Sequence, residues 1–557
     1  MTARSLVIGL DGADVDVVRG LGPARLPVLH ALMERGAWAR LESVKPPATL
    51  PNWCTFLTGV DPGRHGVFDF TTRHGYRVSF TGGTVREAPT IAARLDALGE
   101  ACAVIGFPAT WPPERLAHGV FVSGWDSPVA FEADESFVWP RALGREIRAR
   151  FGPIRWGDVD EFAAGTPGWY ARLGDALVSR VSDRLRVAEW LLGEREWSLF
   201  AVYFGESDTA AHHLWAHHDP ASPRRPARVS AAEGSGLGRV YEALDRAVGA
   251  LVAAAGEGVE LTIVSDHGSG AAGDRALYLN RALAEAGLAA LREGGAMRGA
   301  AAVKDLALGV LPAAAKDRLF RLAGRALPGW LESRARFGGL DMARTRVFSE
   351  ELNYFPSLCV NLRGREPEGV VSVQELPALR EEIERFAETL RDPWTGNRVI
   401  AAVHARESLY EGPFVDRAPD FVLELALDAR GASYNVMPSA SAPPGTGAWR
   451  RLAPEEHLGR KGRSLPGSHR SHGLMVIAGP RVMASGEIDA RIADATATLL
   501  ARMGVTPPDE LSGRVLREAL SDEVSGGVSL PDAPAASRGR GDLAETEARL
   551  RALGYVD

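Results

Sequence analysis

Cysteine is scarce: Cys54, Cys102 and Cys359 are the only three in 557 residues. They are far apart, odd in number and lack the close spacing of metal-binding pairs. This argues against a disulfide framework and fits a reducing compartment. Cys54 reads as a small buried apolar side chain. Lysine is scarce too: Lys45, Lys304, Lys316 and Lys461 stand among 64 Lys and Arg residues, so the basic side chains are nearly all arginine. Arginine suits bidentate contacts to phosphate, although most such side chains on a soluble protein are solvated surface. The chain has no run of 18 apolar residues, so no membrane span is expected. The opening stretch MTARSLVIGLDGAD has one Arg and an apolar run too short for a signal peptide, and a cytoplasmic protein is expected. A net charge of -7 gives no broad positive field, which argues against a nucleic-acid polymer as partner.

What is present is ordinary in bulk, with 45% hydrophobic and 24% charged residues. The length implies two to four domains, or one large domain with insertions. Short apolar runs alternate with helical patterns: SLVIGL, a helix at 24–36, AWARLES, a helix opened by Thr49-Leu-Pro-Asn, ACAVIGF, GVFVSG, a helix at 170–194, WSLFAVYFG, a helix at 237–255 and ELTIVS. The alternation predicts an α/β core with a mainly parallel sheet flanked by helices. The expected organisation is a first core part over 1–280, with an insertion at 128–170, then a helical cap insertion at 281–337. An α+β accessory unit at 345–430 and a return to the core at 431–521 follow, the latter with GLMVIAGP and a helix at 487–503. A linker and C-terminal helix close the chain at 522–557. The Arg content of 281–337 would also allow an amphipathic membrane-surface helix, with a cap the preferred reading.

Acids and histidines sit where strands should end. They are Asp11 after SLVIGL, Asp208 and His212 after SLFAVYFGES, Asp266 and His267 after LTIVS, and His469 in LPGSHRSHG. In open α/β sheets ligands bind outside the carboxyl ends of the strands. Three carboxylates converging there repel one another unless a counter-charge is supplied, and divalent cations supply it. Asp208 and His212 are four apart, so on a helix they share a face and can chelate one ion. Glycines at 268 and 270 allow a bend that turns both Asp266 and His267 inward. Thr49, just before a helix, is the candidate nucleophile, activated by a cation and by the helix N-terminus. Each part has a plainer alternative. An Asp after a strand is often a turn former, the His212–His213 pair often lies on a surface, and Thr49 alone can be an N-cap. Together they match the ligand demand of a two-metal phosphoryl-transfer site.

The motifs GLDGAD, KPPATLPNWCTFLTGVDPGRHGVFDF, ESDTAAHHLW, SDHG and GSHRSHGLMVIAGP together resemble the alkaline phosphatase superfamily, in its type I phosphodiesterase/nucleotide pyrophosphatase branch. The resemblance implies an alkaline phosphatase-like fold and two divalent metal ions, zinc in most relatives and manganese in some. It implies that Asp11, Thr49, Asp266 and His267 surround one ion and that Asp208, His212 and His469 hold the other. It further implies a small-molecule phosphate ester as substrate, hydrolysed at a phosphodiester or phosphoanhydride bond through a phospho-threonine. His469 occupies the family's GxH position in preference to His472, while His65, His217 and His218 receive no role. One departure concerns substrate: where nucleotide pyrophosphatases carry an Asn that contacts phosphate, HGVFDF places Phe70, preceded by Asp69. Arg73 could contact phosphate instead, with a surface Arg the plainer reading. The departure keeps a phosphomonoesterase or phosphomutase open as the alternative, and a non-catalytic metal-binding protein behind it. The Cys/Ser-x-Pro-x-Arg motif of sulfatases is missing from the first third. GLDGAD also lacks the G-x-G-x-x-G of a dinucleotide-binding loop.

Overall fold

The computed structural model describes residues 2–124, 135–153, 164, 166–292, 333, 336–351, 355–459, 464–522 and 527–531. Most of the expected cap at 281–337, the C-terminal helix, and parts of the 128–170 insertion and the linker therefore lie outside the described residues.

A nine-stranded sheet forms the centre. Its middle strands are all parallel: Glu260–Val264, Ser5–Leu10, Leu199–Phe204, Cys102–Ile105 and Val120–Val122. His472–Ala478 inserts antiparallel between Glu260–Val264 and Ala37–Glu42. Each central strand is buried on both faces, which is why it reads as a continuous apolar run. Side chains alternate between the faces. Leu6, Ile8 and Leu10 pack with the helices Trp169–Glu194, Glu206–His218 and Ala231–Ala255 on one side. Val7 faces the opposite layer, where Trp53, Phe56 and Leu57 of the helix Thr49–Thr58 and Ile492 and Leu499 of the helix Ile492–Met503 cover the sheet. The α/β class and the mainly parallel sheet are as expected from the alternation.

Element edges differ from the sequence reading where a cap decides them. The helix expected from 237 starts at Ala231, because Ser230 and Glu233 form a capping box. The helix expected from 487 starts at Ile492, and a two-residue strand, Gly486–Glu487, precedes it. Residues 141–151 of the 128–170 segment are helical.

Two further sheets of four strands each adjoin the core. The first is antiparallel, in the order Val347–Phe348, Ser357–Val360, Phe421–Leu425, Ile400–Ala405. The helix Leu376–Thr389 packs on it around Leu358, Leu379, Ile383 and Leu423. The second is built on the long strand Gly268–Leu277, which leaves the site directly after Asp266 and His267 and pairs with Ser433–Val436, Trp449–Arg451 and Gly467–Arg470. Pairing with the last of these matters for chemistry: Ser269 lies opposite His469.

Candidate metal centre

The parallel register aligns the ends of three strands. Leu10 pairs with Phe204 and Gly9 with Val264, so Asp11, the helix carrying Asp208, and Asp266 all begin at one rim. Gly12 has φ +62, and an added Cβ there would lie 3.1 Å from atoms of Asp208. Only glycine both adopts this turn and lets the two carboxylates approach. Thr49 begins the helix Thr49–Thr58 as its first residue. Ala48 is the cap and makes no side-chain bond to it, so Thr49 is not the N-cap that its position suggested. Its hydroxyl is therefore not spent on capping. Asn52 fixes the segment before it, donating to Ala48 O at 2.9 Å and Pro46 O at 3.2 Å and accepting from Val44 N at 2.8 Å.

All seven candidate side chains meet. His267 Nε2 lies 3.4 Å from Thr49 Oγ1, 3.2 Å from Asp266 Oδ2 and 3.5 Å from Asp11 Oδ1. His212 Nε2 lies 3.2 Å from Asp208 Oδ1 and 3.0 Å from His469 Nε2. His469 Nε2 is 3.6 Å from Asp208 Oδ1. The His267 and His469 rings stack with centroids 3.6 Å apart, joining the two groups. Ligand atoms of Asp11, Asp266 and His267 lie within 4.8 Å of one another, as do those of Asp208, His267 and His469. Apart from Asp208, whose side chain is 20% exposed, all are buried.

The surroundings fix the orientation and protonation of these groups. Each imidazole has a backbone carbonyl at Nδ1: Gly467 O for His212 at 3.1 Å, Gly268 O for His267 at 3.0 Å and Pro47 O for His469 at 2.8 Å. A carbonyl only accepts, so each Nδ1 carries the proton and each Nε2 turns a lone pair inward. Two such lone pairs then face each other at the His212–His469 contact. Asp11 Oδ1, Asp208 Oδ1 and Asp266 Oδ2 are buried without a hydrogen-bond partner. An orphaned buried carboxylate oxygen is costly, and three around inward lone pairs fit positive charge rather than more protein. The outer oxygens are held: Asp11 Oδ2 accepts from Tyr203 OH at 2.5 Å and Trp53 Nε1 at 3.1 Å, and Asp266 Oδ1 accepts from Gly12 N at 3.1 Å.

The ionisation of the protein alone reflects the same crowding. Burial pushes the Asp11 carboxyl up to about 7, with the charge of Asp208 adding to it and the Tyr203 and Trp53 bonds opposing. Burial and then Asp11 push Asp266 well above the usual range. Burial also works to raise Asp208, but His212, His469 and His267, when protonated, outweigh it and hold that carboxylate low. Burial brings His267 down to about 4, and burial with the two neighbouring imidazoles depresses His469 strongly. Neutral imidazoles are the form that ligates a metal.

Residues outside the set fall as follows. His472 is exposed, so His469 is the histidine of this pair that enters the centre. His65 is buried against Thr55 Oγ1 at 3.0 Å, and its other ring nitrogen accepts from Val67 N at 3.1 Å. Phe70 packs with Leu50, Cys54, Val67 and Ala109, next to the first turn of the Thr49 helix. Arg73 is not a surface residue: its side chain is 14% exposed. It donates to Glu366 at 2.8 Å and lies 3.6 Å from Glu350. Tyr203 and Trp53 escaped the sequence reading, although both left a signal. Trp53 is one helical turn after Thr49, and Tyr203 is a hydroxyl inside the apolar run LFAVYF.

The model of the family described as type I phosphodiesterase/nucleotide pyrophosphatase matches residues 5–438. Six of the seven side chains lie within that span, and His469 lies beyond it. No curated protein matches significantly. Among solved structures, human ectonucleotide pyrophosphatase/phosphodiesterase 5 is similar at 11% identity, with 91% of this chain and 96% of that chain covered and a TM-score of 0.45. An inactive murine form of that protein in complex with AMP is similar at 12% identity, with 93% and 100% covered and a TM-score of 0.46. Phosphonoacetate hydrolase from Sinorhizobium meliloti 1021 is similar at 14% identity, with 90% and 96% covered and a TM-score of 0.48. With most of its length matched by the family model, the chain belongs to the type I phosphodiesterase/nucleotide pyrophosphatase family, whose members are metal-dependent enzymes that hydrolyse phosphoester bonds.

Proposed function

We propose that the protein hydrolyses a phosphodiester or phosphoanhydride bond of a small molecule by way of a phospho-threonine at Thr49, with two divalent cations, zinc or alternatively manganese. Asp11, Asp266, His267 and Thr49 would hold one cation, and Asp208, His212 and His469 the other. Mixed carboxylate and imidazole donors suit either metal. When bound, the two ions supply positive charge to the phosphoryl oxygens and lower the pKa of the hydroxyl and of water. The chain's own groups do the rest. Thr49 Oγ1 attacks phosphorus in line; the new O–P bond forms as the bond to the leaving group breaks, and the hydroxyl proton leaves to solvent. Water then attacks the phospho-threonine and restores the hydroxyl. The N–H groups of Thr49 and Leu50, in the first turn of that helix, have no intrahelical acceptor and are available to a phosphate oxygen.

The observation that carries this reading is the meeting of three orphaned carboxylate oxygens with three inward Nε2 atoms beside Thr49 Oγ1. Its test is turnover of bis(p-nitrophenyl) phosphate by metal-loaded protein. Activity is expected to need added metal and to vanish in Thr49→Ala, whereas full activity in that variant would remove Thr49 as the nucleophile. Phe70, an apolar ring beside Leu50, favours a second reading as a phosphomonoesterase or phosphomutase. A clear preference for p-nitrophenyl phosphate over the diester would select it.

A further inference from the structure

The loop between the helices Glu206–His218 and Ala231–Ala255 carries an arginine with no solvent exposure, Arg224. Arginine is seldom buried in this way, and the burial is tolerated only when its donors are engaged. Nε donates to Gly273 O at 2.6 Å. Nη1 donates to Ser464 O and Leu465 O, both at 3.1 Å, and Nη2 donates to the Ser464 hydroxyl. Ser464 Oγ in turn donates to Asn435 Oδ1 at 2.7 Å, and Asn435 Nδ2 returns to Gly273 O at 2.6 Å. The ring of bonds is closed, and it holds Ser464 in the left-handed region, at φ +68, where a serine rests only under constraint.

The gripped segment leads straight into the metal centre. Pro466 O accepts from Ala272 N at 3.0 Å. Gly467 is pressed so closely on the helix carrying His212 that a Cβ there would lie 2.0 Å from Ala211 O. Its carbonyl is the acceptor that sets the His212 ring, and two residues later the same strand presents His469. Displacing residues 464–467 would therefore move the orientation of His212 and the position of His469 together. The partners of the other group's carboxylates are elsewhere: Tyr203 OH and Trp53 Nε1 for Asp11, and Gly12 N for Asp266.

We infer that Arg224 is a positioning residue for one half of the centre, fixing His212 and His469 through Ser464, and that its loss weakens the Asp208–His212–His469 cation alone. The inference rests on the two-cation reading above. Its test is zinc titration of the full chain by equilibrium dialysis with metal analysis, on wild type, Arg224→Lys and Ser464→Ala. Lysine keeps the charge but cannot span the acceptors. Wild type is expected to bind two equivalents. In the variants one equivalent should keep its affinity and the other should weaken by about 10–100-fold, the usual effect of losing an outer partner of a ligand. Circular dichroism checks folding, and Ser464→Ala carries the test if Arg224→Lys does not fold. A folded variant that binds both equivalents as wild type does, or loses both alike, overturns the inference. Wild type binding fewer than two equivalents instead overturns the two-cation reading beneath it.

Discussion

Tyr203→Phe removes one atom from the candidate centre and leaves the packing in place. The ring is 2% exposed and stacks edge-on with Trp53 at 5.5 Å, and phenylalanine retains both features. What is lost is the 2.5 Å hydrogen bond to Asp11 Oδ2. A hydrogen bond to a charged acceptor contributes about 1.5–3 kcal/mol. Since about 1.4 kcal/mol corresponds to tenfold in an equilibrium constant, full transfer of that loss to cation binding would be roughly 10- to 150-fold. Trp53 Nε1 still holds Oδ2, so the expected weakening lies towards the lower end, about tenfold to thirtyfold. The loss should fall on the Asp11–Asp266–His267 equivalent, the reverse of the Arg224 variants. Zinc titration with a competing chelator measures it, and circular dichroism establishes that the fold is intact. Unchanged affinity for both equivalents in folded Tyr203→Phe would refute the idea that the outer oxygen of Asp11 is held so that the inner one can ligate.

Two other expectations concern stability. Burial, with Glu350 adding and Phe70 N and Arg336 opposing, pushes the Asp69 carboxyl from 3.8 up to about 7. The unfolded chain therefore releases this proton before the folded one, and the group's contribution, full below pH 4, is lost as pH rises through 7. Asp69→Asn should melt close to wild type at pH 4 and above it at pH 8, and a constant difference across that range would contradict the assignment. Arg502, fully buried, meets Glu260 at 2.6 Å and also donates to Leu261 O and Ala478 O. Arg502→Leu leaves a buried carboxylate unpaired and should cost about 3–5 kcal/mol in chemical denaturation, part of it recovered by adding Glu260→Leu. A loss under 1 kcal/mol would show that the pair is not buried in solution.

The legible part of this molecule was local. Asp11 and Asp266 follow short apolar runs, and a parallel sheet buried on both faces produces such runs, so their place at strand ends could be read directly. Asp208 and His212 share a helix face because they are four apart. Thr49 shows where local reading fails. The same letters suit a cap or a first helical residue, and in the structure Ala48 is the cap and Thr49 the first helical residue. The fate of Arg73 was not legible, since its partners Glu350 and Glu366 lie on a unit almost 300 positions away. Nor was the Arg224 ring, which ties residues 224, 273, 435 and 464 through contacts that leave no periodicity in the chain.

Anomalous diffraction at the zinc edge from zinc-loaded crystals tests the central claim most directly. Two peaks are expected, one within bonding distance of Asp11, Thr49, Asp266 and His267 and one within bonding distance of Asp208, His212 and His469. A single peak, or two peaks away from these side chains, would contradict the account.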